Sequence, residues 1–328
     1  MAAATMYVTP AGAGNKDGSS WANAMGFSEW MTDFTGAVEP GDLYYVAGGT
    51  YTLVADRVAF APGTAIAPIK IIGVDAETTN EPPVLSDWVF GDDRPLLACS
   101  TYAFTCKDYS VVCNLRVTTA AGSGLYLSNY SAAFNCKSFN SSATANYSAL
   151  RFGAGGKVVS CEAVCTNGYA INVGGSSTIL SCFAHASKVG CNPDGSYSPG
   201  VHVISSVIKA CQTGLLCGPN SGTALIGSTI YGCTTVGIGG TTGYAGAFIN
   251  NIIAACAIGA AWTTETPDNF WDYNCWHNTT DVSKVTKGPH DITADPLLTD
   301  PAAGDFTLAA GSPCFATGMS LGADVGLP

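Results

Sequence analysis

Charged residues are scarce in this sequence of 328 residues, where Asp, Glu, Lys and Arg together make up 11%. About 25% is usual for a soluble domain. Basic residues are scarcer than acidic ones: the chain has 13 Lys and Arg and 24 Asp and Glu, which give a formal net charge of −11. A nucleic-acid-binding protein needs a basic patch for the phosphates, and an anionic membrane surface repels an acidic chain. We therefore expect neither nucleic acid nor a membrane as a partner.

Long apolar runs are absent as well. No segment approaches the roughly 20 apolar residues of a membrane-spanning helix. The first residues, MAAATMYVTPAG, contain neither the basic region nor the apolar run of a signal peptide. Helical spacing of apolar residues is equally rare, and we find it in the segment FSEWMTDFTGAV (27–38). We predict a short N-terminal helix there, which caps one end of the fold.

The sequence instead contains a repeated short segment that ends in a cysteine. Seven short segments each end in a cysteine, and the steps between these cysteines are 23, 25, 21, 29, 22 and 23 residues. A period of this length is typical of a protein built from stacked repeats. The seven cysteines are Cys113, Cys136, Cys161, Cys182, Cys211, Cys233 and Cys256.

The residues beside each cysteine predict the shape of the repeat. The position three residues earlier is apolar in nearly every segment, and the residue directly before the cysteine is small in the six segments from Cys136 onward. Positions three apart on a flat strand point to opposite faces, so a corner must separate them. Asn and Gly tolerate the left-handed backbone that a sharp corner requires. The sequence therefore predicts an all-β parallel β-helix, a solenoid whose coils stack like residues about 4.8 Å apart.

The 14 cysteines raise the alternative of a disulfide scaffold. Seven of them belong to the column, where parallel Cβ atoms stand farther apart than the roughly 3.8 Å of a disulfide. We therefore expect thiols that serve as small apolar rungs, in a protein assembled in a reducing compartment. The other seven are irregularly placed, and a disulfide between two of them stays open: Cys99, Cys106, Cys165, Cys191, Cys217, Cys275 and Cys314.

We expect one domain, residues 1–328, because no linker interrupts the chain. A bare solenoid end would expose core and strand edges, so both ends need a cover. The expected parts are an N-terminal cap (1–38), early irregular coils (39–98), regular coils (99–260) and an irregular C-terminal cap (261–328).

Three stretches carry a resemblance to a known superfamily. YVTPAGAGNKDGSSWANAM followed by GDLYYVAGGTYT resembles the opening of bacterial and phage right-handed parallel β-helix proteins of the pectate-lyase-like superfamily. DITADPLLTDPAAGDFTLAAGSP with GADVG resembles their ending, and DYNCWHN resembles a segment just before it. The resemblance covers nearly the whole chain and implies a right-handed β-helix. The superfamily includes polysaccharide lyases, hydrolases, epimerases, phage tailspikes and non-catalytic surface proteins, so it fixes no activity.

The resemblance also implies where catalysis would be found. Pectate-lyase-type enzymes hold calcium with clustered Asp or Glu on one strand face, and an Arg or Lys acts as the base near the sugar. The carboxylates of residues 99–260 are Asp108, Glu162 and Asp194, which stand at different offsets from the cysteine column. Calcium needs several converging oxygen ligands. We therefore predict no calcium-dependent lyase site.

Other groups of residues give two further catalytic candidates. Glycoside hydrolysis needs two carboxyl groups about 5 to 9.5 Å apart, and ordinary solvated turns are the alternative for such Asp residues. A calcium-free lyase would need a paired Lys and Arg. We predict an ion pair between stacked Lys137 and Glu162, with Arg116 and Arg151 on neighbouring coils at other offsets. The candidate carboxylate pairs for glycoside hydrolysis are Asp92 with Asp93 and Asp268 with Asp272.

A zinc site is the remaining metal hypothesis. The pattern C-x3-C-x16-C-x2-H has a spacing that suggests zinc in other chains. The repeat already accounts for two of its cysteines, so we predict no metal and no cofactor. The pattern comprises Cys161, Cys165, Cys182 and His185.

Two features are candidates for binding a ligand or partner. The segment KVGCNPDGSYSPG (188–200) lies in the longest step and predicts an inserted loop that carries Asp194 and Tyr197. The other feature is an aromatic cluster suited to stacking on sugar rings, or to sealing the last coil. It comprises Trp262, Phe270, Trp271, Tyr273 and Trp276, with His277 beside it.

Three hypotheses for the function differ in class. The first is a non-enzymatic structural or attachment protein, such as a phage decoration or accessory protein that contacts other virion or surface proteins and forms trimers. Its location would be the virion surface or the extracellular space, after assembly in a reducing cytoplasm. The second is a carbohydrate-active enzyme, either a polysaccharide lyase or a glycoside hydrolase, and the third is a carbohydrate-binding module. We rank the first highest, because no catalytic constellation is evident in the sequence.

Overall fold

The computed structural model describes residues 3–53, 57–59, 61–88, 91–99, 104–193, 200–218, 222–241, 246–264 and 269–315. The chain divides into two compact units, Met1–Glu162 and Ala163–Pro328. The prediction of one domain over residues 1–328, with its four parts, stays a prediction. No helix among the described residues is long and apolar enough to cross a membrane.

The first unit is a parallel β-helix in which most coils contribute one strand to each of three sheets, here called A, B and C. Neighbouring strands pair in parallel, one coil above the next. Sheet A contains Thr5–Val8, Leu43–Ala47, Ile69–Val74, Ser110–Cys113, Ala132–Phe134 and Lys157–Val159. Sheet B contains Thr50–Leu53, Leu96–Cys99, Arg116–Thr119 and Lys137–Asn140, and sheet C contains Arg57–Val58, Phe104–Cys106, Leu125–Leu127 and Ser148–Phe152. The 3₁₀ helices are Trp21–Asn23, Leu85–Asp87 and Gly91–Asp93, and the strand Glu162–Cys165 begins at the last residue of the unit.

The second unit repeats this plan with sheets D, E and F. Sheet D contains Thr178–Leu180, Val201–Ile204, Thr223–Ile226, Gly246–Ile249 and Phe270–Asp272. Sheet E contains Phe183–His185, Val207–Lys209, Thr229–Tyr231, Ile252–Ala254, Cys275–His277 and Ile292–Thr293. Sheet F contains Tyr169–Val173, Val189–Pro193, Thr213–Cys217, Val236–Gly240, Ile258–Trp262 and Thr280–Ser283. An antiparallel hairpin of Leu298–Asp300 and Asp305–Leu308 follows, and then the 3₁₀ helix Pro313–Phe315. The predicted right-handed parallel β-helix is thereby confirmed.

The predicted N-terminal capping helix is also confirmed, and it spans Phe27–Gly36. Its side chains Trp30 and Phe34 are fully buried. Both rings contact Phe104 on sheet C, at centroid distances of 5.9 and 5.0 Å. The helix therefore extends the aromatic interior of the first unit and covers apolar area that a bare coil would expose to water.

The corners confirm the left-handed backbone that small residues before the cysteines predicted. A left-handed conformation costs a non-glycine residue about 1–2 kcal/mol, so it persists only where the surrounding strands enforce it. The parallel pairing on either side of each corner does this. The φ angle lies between 51° and 66° at Asn135, Ser160, Ser181, Ala210, Gly232 and Ala255.

The prediction of a single column of stacked cysteines is wrong, because the cysteines lie at two different corners of the coil. In the second unit the pairing of Leu180 with Ile204 makes Cys182 level with Ser206, and the Cys182 N–H donates to Ser206 Oγ at 3.1 Å. Cys211, Cys233 and Cys256 follow the next corner, between sheets E and F. Both corners need a small left-handed residue and then a small buried side chain, so the sequence gives them one signature.

Two further predictions change with this register. The step of 29 residues joins different corners, and the predicted inserted loop at 188–200 instead begins with a strand, Val189–Pro193. In the first unit Phe134 pairs with Cys113, so Leu115 and not Cys113 is level with Cys136. Leu115 is fully buried and takes the place of a cysteine rung.

A ladder of polar side chains supports the corner between sheets D and E. The Ser206 N–H donates to Ser228 Oγ at 3.1 Å, and the Ser228 N–H donates to Asn251 Oδ1 at 2.9 Å. The Asn251 N–H donates to Asn274 Oδ1 at 3.0 Å, and the Asn274 N–H donates to Asp291 Oδ1 at 2.8 Å. All four backbone donors are buried and would be costly to leave unpaired. The ladder therefore satisfies the corner, and the Asp291 carboxylate ends it.

The C-terminal hairpin covers the outer surface of sheet E. Phe306 is buried against Phe183 and Val207, both of which point outward from that sheet. Lys209 Nζ donates to the carbonyl oxygen of Ala302 at 2.7 Å and holds the hairpin turn. The hairpin thus removes apolar side chains on this face from water.

Ile230 provides a test of the stacked interior. Its side chain is 0% exposed and lies between Ile208 and Ile253 in the register of sheet E. We expect Ile230→Ala to lower the free energy of unfolding by about 2–5 kcal/mol, because it leaves a cavity in a packed ladder. Denaturant titration measures this change.

The control is Ile226→Ala, because Ile226 lies in a nearby strand and is 37% exposed. We expect it to cost about 1 kcal/mol or less. A loss below about 0.5 kcal/mol for Ile230→Ala would contradict the buried ladder.

Candidate functional site

A row of charged side chains runs across the outer surface of sheet B in the first unit. Lys137 pairs in register with Arg116 on the preceding strand, so their side chains emerge next to each other. The expectation that Arg116 stands at another offset is wrong, because the true column residue of that coil is Leu115. The predicted partnership of Lys137 with Glu162 is confirmed, at 3.1 Å between Nζ and Oε2.

Asp92 joins this row from the short helix Gly91–Asp93. Its Oδ1 lies 3.1 Å from Arg116 Nη1 and 3.6 Å from Lys137 Nζ. The Asp92 side chain is 75% exposed, whereas Arg116 and Lys137 are 24% and 36% exposed. One exposed carboxylate therefore lies over two less exposed cations.

Arg94 adds a third cation, which is almost fully buried at 6% exposure. Its Nη2 donates to Asn135 Oδ1 at 2.5 Å, and Asn135 Nδ2 donates to Asn114 Oδ1 at 2.7 Å. Asn114 Nδ2 in turn donates to the carbonyl oxygen of Gly73 at 3.3 Å. Asn114 and Asn135 are the left-handed corner residues of their coils, so the corner itself orients the Arg94 guanidinium.

Arg94, Arg116 and Asp92 border a cleft with a volume of about 400 Å³, and Lys137 lies in register beside Arg116. Among the described residues, the buried Nε atoms of Arg94 and Arg116 have no hydrogen-bond partner. Gly49 forms part of the wall of the cleft. Its φ angle is 136°, a backbone conformation that residues other than glycine rarely adopt. The cleft is lined by Gly48, Gly49, Thr50, Asp75, Ala76, Asp92, Asp93, Arg94 and Arg116.

The charges of the cleft influence one another. A hydrogen bond from Arg116 and the positive charge of Lys137 lower the pKa of the Asp92 carboxyl. Burial lowers the pKa of the Arg94 guanidinium, and nearby acidic groups, Glu162 and Asp92 among them, oppose this effect. An arginine remains protonated in proteins, so two positive charges, Arg94 and Arg116, line the cleft together with the carboxylates of Asp75, Asp92 and Asp93.

Arg151 and Asp108, both considered as candidates, lie outside this cluster. Arg151 is on sheet C, where its guanidinium lies over the Tyr126 ring at 5.1 Å. Asp108 accepts a hydrogen bond from the Asn129 N–H, 21 residues later in the chain, at 2.9 Å. Of the carboxylate pair Asp92 and Asp93, the first enters the ion-pair network and the second lines the cleft.

The three tryptophans of the predicted aromatic cluster are buried in the second unit. Trp271 stacks on Phe248 at 4.1 Å and lies 5.6 Å from Trp262 and 5.5 Å from Trp276, between ring centroids. This packing is what sealing the last coils requires. Phe270, at the start of the same strand, is exposed.

The other predicted binding residues differ in their surroundings. Tyr273 stacks on His290 at 4.6 Å between ring centroids, and His277 is exposed. Asp194 and Tyr197 lie outside the described residues, so the binding role expected for these residues stays a prediction. Asp268 also lies outside them.

Asp272 was predicted to form a carboxylate pair with Asp268. Its side chain contacts His290, with 3.0 Å between Asp272 Oδ1 and His290 Nδ1. Burial alone would raise the pKa of Asp272, but the hydrogen bonds from His290 and Tyr273 lower it.

The residues of the zinc hypothesis do not form a metal site in the part of the chain that the structure describes, where no three His, Cys, Asp or Glu side chains converge as ligands. His185 stacks on Phe183 at 4.3 Å between ring centroids. All 14 cysteine side chains are buried thiols.

Comparison with known proteins identifies the fold. The pectate lyase Pel9A is similar in structure, with a TM-score of 0.62 at 17% identity, over 95% of this chain and 92% of that one. The chain has the pectate-lyase-like parallel β-helix fold. No protein-family profile and no curated protein sequence matches this β-helix protein. An identity of 17% with the pectate lyase leaves the activity open.

Two more distant β-helix structures come from different kinds of protein. A rhamnogalacturonan lyase has a TM-score of 0.45 at 13% identity, over 88% of this chain and 86% of its own. A protein described as Geobacillus virus E2 ORF18 has a TM-score of 0.46 at 10% identity, over 89% of this chain and 62% of its own.

Asp92 gives a test of the charge network. Its lowered pKa means that the ion pairs stabilise the fold above the unfolded-state pKa of about 3.9, and that this contribution is lost as the pH falls through the lowered value. Carboxyl NMR titration of the wild type should therefore show a midpoint for Asp92 below about 3.9.

We expect Arg116→Ala to raise the Asp92 midpoint, because it removes the hydrogen bond that lowers the pKa. The control Arg151→Ala should leave the midpoint unchanged, since Arg151 lies on sheet C. Equal midpoints in the wild type and in Arg116→Ala would show that the network does not form.

Proposed function

We propose that this β-helix protein is a non-enzymatic attachment protein that binds an acidic polysaccharide in the cleft beside sheet B. The observation that carries the proposal is the contact of Arg116 and Lys137 with one exposed carboxylate, with Arg94 lining the same cleft as Arg116. The whole chain has 13 Lys and Arg residues and a net charge of −11. Two arginines that line one cleft of such a chain, with Lys137 beside Arg116, favour a local partner that carries negative charge.

The geometry of the cations suits a carboxylate-bearing sugar. Arg116 and Lys137 are adjacent rungs, about 4.8 Å apart, so one carboxylate can contact both, as Asp92 does. Guanidinium groups match carboxylates with two parallel hydrogen bonds, and burial of Arg94 reduces competition from water. The outer row also contains Phe139, two residues from Lys137 and exposed, which suits contact with a sugar ring.

The setting of this binding is part of the proposal. Within each unit, hydrogen bonds between coils and a packed interior support a repeating lateral surface, which suits attachment to a glycan-covered surface. We propose a phage virion surface or the extracellular space as its location, with other virion or surface proteins as partners and a trimer as the assembled state. These proposals rest on the sequence resemblance to phage and bacterial β-helix proteins.

A second candidate function is a calcium-free polysaccharide lyase. The observation that favours it is the register of Arg116 beside Lys137, which supplies the paired cations that such chemistry needs. In this reaction a base takes the proton next to the uronate carboxyl, and a carbon–carbon double bond forms as the bond to the glycosidic oxygen breaks. The departing oxygen takes up a proton from water. Arg94 and Arg116 would neutralise the carboxylate, and Lys137, after losing its ammonium proton, would be the base.

The binding proposal predicts a specific loss on substitution. We expect Lys137→Ala and Arg116→Ala each to weaken binding of acidic oligosaccharides about tenfold or more, because each removes a charge-assisted contact. Isothermal titration with oligogalacturonates, oligomannuronates and hyaluronan fragments measures the affinities.

Arg151→Ala is the matched control and should bind like the wild type, because it removes the same charge from sheet C. Equal losses in all three variants would indicate an effect of net charge and would reject the cleft. Ultraviolet absorbance of the unsaturated product, lost in Lys137→Ala, would replace attachment by the lyase function.

A further inference from the structure

We infer that Asp92 is a built-in competitor, which occupies the carboxylate position of the ligand until the ligand displaces it. The inference rests on the proposed binding of an acidic polysaccharide, and it adds a device that regulates the affinity of the same cleft. Its basis is the placement of the Asp92 carboxylate on Arg116 and Lys137, at 3.1 and 3.6 Å.

Exposure indicates which partner is the displaceable one. The Asp92 side chain is 75% exposed, whereas Arg116 is 24% and Lys137 is 36% exposed. Asp92 can therefore turn into water at little cost in burial, while the cations stay in place. A solvent-exposed ion pair is weak, so a ligand with several contacts can replace it.

Lys137 and Arg94 keep their positions by contacts that do not involve Asp92. Lys137 retains its ion pair with Glu162 at 3.1 Å. Arg94 is fixed by Asn135, which is itself bonded to Asn114. The site is therefore preorganised for an anion, and preorganisation reduces the ordering cost of binding.

Charge accounts for the presence of Asp92 in the ligand-free protein. Arg94, Arg116 and Lys137 together carry three positive charges, and Glu162 offsets one of them. Without Asp92 the like charges of Arg116 and Lys137 would face each other at one strand spacing, which is unfavourable. Asp92 neutralises this pair until an external carboxylate takes its place.

Asp93 provides a matched control on the same short helix. It is exposed and lines the same cleft, and the ion pairs of the described residues do not include it. Asp92→Asn and Asp93→Asn change the net charge of the protein equally. A difference between them therefore reports the position of the carboxylate and not the overall charge.

The test is isothermal titration of wild type, Asp92→Asn and Asp93→Asn with the same panel of acidic oligosaccharides. A second ligand set contains the same oligosaccharides with their carboxyl groups reduced to alcohols. We expect Asp92→Asn to bind the acidic ligand about tenfold more tightly than the wild type. Asp93→Asn should gain clearly less than Asp92→Asn, because the Asp93 carboxylate lines the cleft without pairing with Arg116 or Lys137, and the reduced ligands should show no gain in Asp92→Asn.

A further variant shows whether the gain arises at the cations. In a protein that already carries Arg116→Ala, adding Asp92→Asn should give a much smaller gain in affinity for the acidic ligand. The reason is that Arg116, the main partner of Asp92, has been removed. Thermal unfolding of each variant checks that the fold is retained.

The outcomes separate the two proposals. Binding by the wild type with equal or weaker binding by Asp92→Asn overturns the competitor role and leaves the proposed function standing. An equal gain in Asp93→Asn also overturns the competitor role. Binding by neither the wild type nor Asp92→Asn overturns both proposals.

Discussion

In-register stacking of side chains at one strand spacing is the constraint on which the rest of this structure depends. Each inner position meets its equivalent on the coils above and below, so a charge in one coil would face a like position in the next. Aliphatic rows such as Ile208, Ile230 and Ile253 satisfy this constraint by burial alone. The polar row that begins at Ser206 satisfies it because each buried N–H has an acceptor from the next coil. The low charge of the chain is thus a property of its fold.

The same constraint builds the candidate site on the outside of the coil. Because outer positions are also in register, Arg116 and Lys137 emerge as neighbours although 21 positions of sequence separate them. The corner asparagines then hold Arg94 at the edge of this row. Asp92 completes the cluster from a short helix. The repeat therefore supplies a fixed lattice of positions, and the sequence between strands decides which of these positions carry charge.

The second unit uses its equivalent outer surface differently. The C-terminal hairpin places Phe306 on Phe183 and Val207, and this face is apolar and covered. The outer surface of sheet B in the first unit instead carries the charged row beside an open cleft. We conclude that the first unit offers the better candidate for recognition of a charged ligand.

Local rules predicted much of the fold from the sequence. The helix at Phe27–Gly36 followed from apolar spacing, and the left-handed corners followed from small residues such as Asn135 and Gly232. The ion pair of Lys137 with Glu162 followed from counting along the repeat. Each of these depends on a few neighbouring residues or on one coil length.

Other features were out of reach because they depend on which corner a residue occupies. Cys182 and Cys211 have similar neighbours but lie after different corners. Because of this similarity, the sequence predicted one column of cysteines where the structure has two. Cys113 similarly concealed the register of Arg116 with Lys137. Arg94 carried no signal, since its coil lacks the repeat cysteine and its partner Asn135 is 41 residues away.

A crystal structure, read at pairs of stacked residues, tests the central claim most directly. The account predicts Cα separations of about 4.8 Å between Cys233 and Cys256 and between Arg116 and Lys137. It also predicts left-handed backbone at Gly232 and Ala255. Separations of two or more strand spacings at these pairs, or cysteines spread over unrelated parts of the molecule, would contradict the account.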